Sequence, residues 1–386
     1  MVQERGRFII LISIVLISGF SQGMLLPLIA IIFEQDGVSS SINGLHATSL
    51  YIGILIASPF MEKPIQKYGF KPLIFVGGIL VFTSFFLFPL WHSLTFWFIL
   101  RMIIGIGDNM LHFGSQTWIT TTVSEQTRGR SIALYGLSFA LGFSIGPLMT
   151  RLLVIHEALP FIISGVLSLF VWSLMFFVKN EWPHETEGEF QTVNSTTSRF
   201  MKTFAIAWVA FLPAFGYGFL ESTLNGVFPV YGLRLGHDVE MLSLIIPCFA
   251  IGSIVMQFPL GAWSDVLGRR KVLLISIALG IISFICASIY EDSLLGLFIT
   301  FSVAGMFVGS LFSLGISYMA DLLPVSLIPA GNIFIGIIFS VGSILGPIMG
   351  GWFIDAFPQL SFFYLIVVVL VSIMIALLLH RDRLKN

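Results

Sequence analysis

The chain has 386 residues, of which 56% are hydrophobic and only 10% are charged, and its mean hydropathy is +0.98. Soluble domains carry about 25% charged residues, so this composition excludes a soluble enzyme or nucleic-acid-binding module and reads as a polytopic membrane protein. The net charge of −1 says nothing about partners, because the charges are sorted by side of the membrane.

Runs of about 18 or more mostly apolar residues predict twelve membrane helices. They begin near Phe8, Asn43, Pro72, Leu94, Ser131, Leu159, Phe204, Met241, Val272, Leu294, Leu327 and Leu360. The first run is too long for a signal-peptide core and has no A-x-A cleavage site, so it is read as an uncleaved helix. The polar stretch 179–202 divides the spans six and six. This predicts an all-α membrane protein with an N-terminal six-helix bundle (1–178), a cytoplasmic linker (179–202) and a C-terminal six-helix bundle (203–386). With both termini placed in the cytoplasm, nearly all Lys and Arg outside the spans fall on the inner side, Arg128, Arg130, Arg199, Arg381, Arg383 and Lys385 among them. Arg234 is essentially alone on the outer side.

The two predicted halves repeat. Gly53 matches Gly252 and Gly69 matches Gly268 at a shift of 199 residues, and Gly105 matches Gly305 and Gly142 matches Gly342 at a shift of 200. Six spans is an even number, so both copies share one orientation. Parallel repeats of this kind are a transporter plan, with the site near the midplane between the halves.

Span four carries the most polar apolar run in the chain: Arg101, Asp108, Asn109, His112 and Gln116. At 100° per residue, Arg101, Asp108, His112 and Gln116 fall in one stripe about 80° wide. A charge at the centre of a membrane helix costs roughly 2.5–3.5 kcal/mol even on insertion scales, so the stripe must face protein or water, here taken as a transport pathway. Arg101 and Asp108 are about 10.5 Å apart along the axis, and Arg101 leans away from Asp108, so each is expected to have a separate partner. Asp108 lies near mid-span, where burial disfavours the charged form of a carboxylate, and it is a candidate proton carrier. His112 is a candidate relay, because the ordinary imidazole titrates in the working range. In span seven Tyr217, Glu221 and Asn225 are spaced i, i+4, i+8 and share a face. Glu221 is the acid well inside a span of the second half, able to bind a cationic substrate, carry a proton or pair with Arg101.

The loop between spans eight and nine reads Gly261-Ala-Trp-Ser-Asp265-Val-Leu-Gly268-Arg269-Arg270-Lys271. This G-x-x-x-D-x-x-G-R-R-K spacing resembles the major facilitator superfamily. Arg101-x-x-x-Gly105-x-Gly107 in span four and Gly342-x-x-x-Gly346-Pro347-x-x-Gly350-Gly351 in span eleven are similar to that family's other signatures, and the resemblance extends over essentially the whole chain. It implies the major facilitator fold, a role for Arg101 in proton coupling or in bracing span one, and a cavity lined by spans one and seven. Gln22 would then confront Tyr217, Glu221 and Asn225 there, with Asn109 and Gln116 as further substrate contacts. Asp265, Gly268, Arg269 and Arg270 would form a gating latch, with Asp265 directed at the start of span five near Ser131. The first-half copy of the loop has Gln66 in place of the aspartate, which suggests that the two halves are held unequally. Gly142-x-x-x-Gly146-Pro147 in span five is a partial match to the exporter signature, with Thr150-Arg151 replacing its last two glycines.

The sequence has no phosphate-binding loop of the G-x-x-x-x-G-K type, so transport would be secondary. Neither H-E-x-x-H nor C-x-x-C occurs, and Cys248 and Cys286 lie in separate apolar runs, which argues against an enzyme, a metal site or a disulfide framework. The expected protein is a monomeric, proton-coupled exporter of a small lipophilic or cationic compound in a plasma membrane, without a cofactor and without nucleic acid as partner. An uptake symporter, a lipid flippase and a non-transporting sensor are the alternatives.

Overall fold

The computed structural model describes residues 2–122, 125–182, 193–324 and 327–380. Arg381, Arg383 and Lys385 lie outside the described residues, as do the side chains of Arg128, Arg130 and Arg199. Among the described residues sixteen α-helices follow one another: α1 Val2–Gln35, α2 Ser40–Ala47, α3 Ser49–Ala57, α4 Glu62–Tyr68, α5 Phe70–Leu87, α6 Leu94–Thr122, α7 Glu125–Ile145 and α8 Ala158–Ser173, then α9 Val193–Gly226, α10 Phe228–Arg234, α11 Val239–Leu267, α12 Arg269–Ile289, α13 Leu294–Val308, α14 Leu311–Leu322, α15 Ile328–Ala356 and α16 Phe363–Leu379. Among the described residues there is no strand. Ten helical stretches there are long and apolar enough to cross a bilayer, and α16 is a shorter apolar helix. The chain is a multi-pass membrane protein.

Several predicted spans differ in detail. The second is not one helix. It breaks at Thr48, where Ser49 Oγ donates to His46 O (2.7 Å), and again at the 3₁₀ turn Ser58–Phe60, where Pro59 supplies no amide hydrogen. The fifth leaves α geometry at Gly146-Pro147 and finishes as the 3₁₀ segment Gly146–Val154, in which Thr150 Oγ1 donates to Pro147 O (2.7 Å). Pro347, by contrast, sits inside the continuous α15. At the other side of the polar stretch, α9 begins at Val193, well before the expected start near Phe204.

Contacts divide the chain into two units, one of Met1–Ile29 with His46–Thr186 and one of Ala30–Leu45 with Glu187–Asn386. In the first, α5 packs on α6 and α8, and α3 packs on α6. In the second, α9 packs on α15 and α14, α11 on α13, and α12 on α13 and α16. The matched glycines explain both arrangements. A Cβ on Gly53 of α3 would strike Met102 O of α6, and one on Gly105 of α6 would strike Leu50 O of α3. In the second unit, Gly252 of α11 faces Ser302 O of α13, and Gly305 of α13 faces Phe249 O of α11. Each pair lets two helix backbones touch, the use that membrane helices make of small residues. Gly142 against Leu16 O and Gly342 against Phe215 O repeat the device between α7 and α1 and between α15 and α9. Gly69 and Gly268, with φ of 87° and 92°, make the sharp turns into α5 and α12, a conformation that only glycine adopts without strain.

Residues 30–45 pack in the second unit through a polar clasp. Asp355, at the end of α15, accepts hydrogen bonds from Ser41 N and Ser41 Oγ (both 2.7 Å) and from Ser40 N (3.3 Å), capping the first turn of α2. Arg234 bridges Glu34 (2.8 Å) and Asp355 (3.4 Å). The hydrogen bond to Glu34 holds the Arg234 guanidinium above its ordinary pKa, so the guanidinium stays charged at any physiological pH.

Candidate functional site

In the first unit the polar stripe of α6 is distributed over three neighbouring elements. Asp108 is fully buried, and Ser18 Oγ of α1 donates to its Oδ1 at 2.7 Å, while Oδ2 has no hydrogen-bond partner among the described residues. Arg101 is also fully buried, and its Nη1 meets Nδ1 of His46, in α2, at 3.2 Å. Its Nε and Nη2 make no hydrogen bond among the described residues. His112 Nδ1 lies 2.6 Å from the hydroxyl of Tyr135 on α7, with the Phe139 ring packed edge-on at 4.7 Å. Arg101 and Asp108 thus have separate partners, as their axial separation requires. Asn109 Nδ2 donates to Ser58 Oγ (3.2 Å), Gln116 is exposed, and Gln22 is buried on α1.

In the second unit Glu221 is 9% exposed, against 0% for Asp108, and among the described residues of that unit no basic side chain forms an ion pair with it. Asn225 Nδ2 donates back to Glu221 O (2.7 Å), which turns the amide onto its own helix. The Tyr217 ring lies between Phe312 (6.1 Å) and Phe339 (6.2 Å), one turn before Glu221 on the same helix. Tyr217, Glu221 and Asn225 share a face of α9, with the Asn225 Nδ2 held by the helix backbone.

The loop residues divide their work. Arg269 pairs with Asp265 one turn before it and with Asp321 at the end of α14 (3.6 Å), and its Nη1 also donates to Ser264 Oγ (2.5 Å). Arg270 turns the other way: Nη2 donates to Leu377 O (2.7 Å) and Leu378 O (3.3 Å), and it reaches His380 O as well. It caps the free carbonyls at the end of α16, the favourable place for a cation on a helix. The first unit repeats this cap at the same shift of 199 residues, with Lys71 Nζ donating to Val178 O (2.7 Å). The ion pairs do not repeat. Phe70 occupies the place of Arg269 and stacks on Trp118 (5.3 Å). Trp118 Nε1 donates to Glu181 Oε2 (2.8 Å), and Glu181 Oε1 pairs with Arg7. Phe70 N donates to Glu181 O (3.0 Å) and Lys71 N to Asn180 Oδ1 (3.0 Å), so this strap caps the start of α5.

Ser18, His46 and Tyr135 are the site neighbours that the sequence did not single out for these contacts. Serine and tyrosine recur throughout the apolar runs, so nothing in the pattern marks these two. His46 shares its short helix with Ser40, Ser41 and Asn43, so polarity alone does not set it apart.

The family model for the Major Facilitator Superfamily matches residues 11–247 and 210–386. The sequence is 53% identical over 380 residues to an uncharacterised MFS-type transporter, YfkF, of Bacillus subtilis (strain 168), covering 98% of this chain and 97% of that one. It is 23% identical over 376 residues to multidrug resistance protein 1 of the same organism, covering 94% of each. A crystal structure of the nucleoside transporter NupG shares the fold with a TM-score of 0.77 at 15% identity, covering 97% of this chain and all of that one (100%). A bacterial homologue of the human lysosomal transporter Spinster, in an inward-facing and unoccupied conformation, matches with a TM-score of 0.71 at 16% identity, over 96% of this chain and 94% of that one. The loop motif, the arginine of α6, the paired glycines and these likenesses lead to one assignment: the chain belongs to the major facilitator superfamily and is a membrane transporter of that family.

Proposed function

We propose that this transporter is a proton-coupled exporter of a small lipophilic or cationic compound in a bacterial plasma membrane. In this reading the chain has twelve spans in two six-helix halves, 1–178 and 203–386, joined by 179–202, with both termini in the cytoplasm. The two spans beyond the ten long ones are the broken segment from α2 to α4 and the short helix α16.

The observation that carries the reading is Asp108. A carboxylate in mid-span, fully buried, has one neutral hydroxyl as partner and one oxygen with none. An isolated buried carboxylate anion is costly and becomes neutral by taking a proton. Asp108 would carry a proton while buried and release it when water reaches it. Glu221, slightly exposed and beside Tyr217, would meet a cationic substrate or a second proton. His112 and Tyr135 would relay, Arg101 would respond to the charge change, and Tyr217, Asn225, Gln22, Asn109 and Gln116 would line the substrate path. Asp265, Gly268, Arg269 and Arg270 would gate one side. Export is favoured over uptake by the relation to multidrug resistance protein 1 and by the partial exporter signature at Gly142–Pro147.

The test is transport in proteoliposomes under an imposed pH gradient, followed with ethidium as a lipophilic cation. Ethidium moving against the proton flux supports export. Movement in the same direction as the protons would make the protein a symporter.

A further inference from the structure

His46 makes two contacts that together fix its chemical state. Nε2 lies 3.0 Å from Leu94 O, and a carbonyl oxygen only accepts, so Nε2 carries the hydrogen. Nδ1 lies 3.2 Å from Arg101 Nη1, and a guanidinium only donates, so Nδ1 must offer a lone pair. Both demands are met by one species, the neutral Nε2–H tautomer. The ring itself is 4% exposed and is held edge-on by Phe98, with centroids 5.5 Å apart and planes at 89°. Leu94 and Arg101 both belong to α6, so the imidazole bridges the first residue of that helix and a side chain two turns later. Among the described residues of the unit, the charged and titratable groups that face this pair are Arg101 itself on α6 and Tyr51 on α3, which lies near the guanidinium.

Arg101 has five N–H donors and His46 Nδ1 as its hydrogen-bonding side chain. We propose that His46 is a positioning residue: its neutral Nδ1 anchors Nη1 and thereby aims Nε and Nη2, the donors without a hydrogen bond, as the pair that meets negative charge exposed during the transport cycle. A proton on Nδ1 would set N–H against N–H and release the guanidinium, so the anchor holds only while the ring is neutral. The inference rests on the proposed proton coupling for its consequence, but not for its geometry.

Two substitutions separate positioning from simple packing. Asparagine places an acceptor where Nδ1 stands, and glutamine places a donor where Nε2 stands. His46→Asn is expected to keep gradient-driven ethidium transport within about twofold of wild type, whereas His46→Gln is expected to lose about tenfold or more, the scale of one hydrogen bond to a charged group. Downhill ethidium exchange without a gradient is expected to survive in both. The reverse pattern, with glutamine active and asparagine inactive, would overturn the proposal and leave His46 as a tie to Leu94. The geometry is read separately by ¹⁵N NMR of histidine-labelled protein in nanodiscs, with His46→Gln assigning the resonance. A neutral Nε2–H ring whose Nδ1 resonance moves in Arg101→Met supports the proposal. A cationic ring, an Nδ1–H tautomer or an unmoved resonance would overturn it. If wild type moves no ethidium, the exporter reading fails, and the NMR result still decides the role of His46.

Discussion

The sharpest structural prediction concerns Gly105. In Gly105→Ala, the new Cβ would collide with Leu50 O, approach Leu50 C at 2.9 Å and approach Ile54 N at 3.2 Å. All three are backbone atoms of α3, so no side chain can swing aside. The helices must separate, and Gly53 on the same seam, pressed on Met102 O, resists that movement. Overpacking of this kind costs about 1–3 kcal/mol, while alanine gains about 0.8–1 kcal/mol of helix propensity over glycine. The net expectation is a loss of up to about 2 kcal/mol. Gly336 is the control: it is an exposed α15 residue whose Cβ would meet nothing within 4 Å, so Gly336→Ala keeps the whole propensity gain. The propensity gain is common to both, so the two variants should differ by the overpacking cost, roughly 1–3 kcal/mol, with Gly105→Ala the less stable. Reversible unfolding in mixed detergent micelles measures the difference. A Gly105→Ala protein as stable as Gly336→Ala would refute the close-packed seam, and with it the account of why these glycines recur in both units.

Ser18→Ala removes the one hydrogen bond to Asp108. If the carboxyl carries its proton, the loss is about 1 kcal/mol; an unpartnered buried anion would raise it to about 3–5 kcal/mol. The smaller value is expected, and the same small cost should appear in an Asp108→Asn background, again by micelle unfolding. Asp355→Ala removes the cap on α2, and hydrogen exchange should accelerate at residues 40–43 while α15 amides stay protected; unchanged exchange there would mean that the clasp is not what holds this segment. Arg270→Met strips three carbonyl contacts from the end of α16, whereas Lys71→Met strips one from Val178. Faster exchange at residues 377–380 than at 178–180 is the expected contrast, and equal effects would contradict it.

Much of this architecture is legible in the residues. Helix geometry alone separates Arg101 from Asp108, and the matched glycines point to a repeated packing plan before any contact is known. The asymmetric loops are legible too, through Gln66 standing opposite Asp265, although the sequence does not tell that an aromatic stack replaces the ion pairs. Other features have no local signature. The break at Thr48 has neither glycine nor proline to mark it. Glu181 lies in a stretch whose polarity reads as linker, yet it joins Arg7, Trp118 and the start of α5, because long-range partners are invisible to composition. Arg270 belongs to a motif that suggests gating, and its contacts in the structure are to the carbonyls of α16. Ser18 and Tyr135 gain meaning only from the helices that pack beside them.

The central claim, that a buried carboxylate couples proton movement to export, is tested most directly by one comparison. Purified wild type, Asp108→Asn and Glu221→Gln are reconstituted in proteoliposomes, and ethidium movement is followed under an imposed pH gradient. The account expects gradient-driven antiport in wild type, its loss in Asp108→Asn, and retained downhill exchange in that same variant. Gradient-driven antiport that persists unchanged in Asp108→Asn would contradict it.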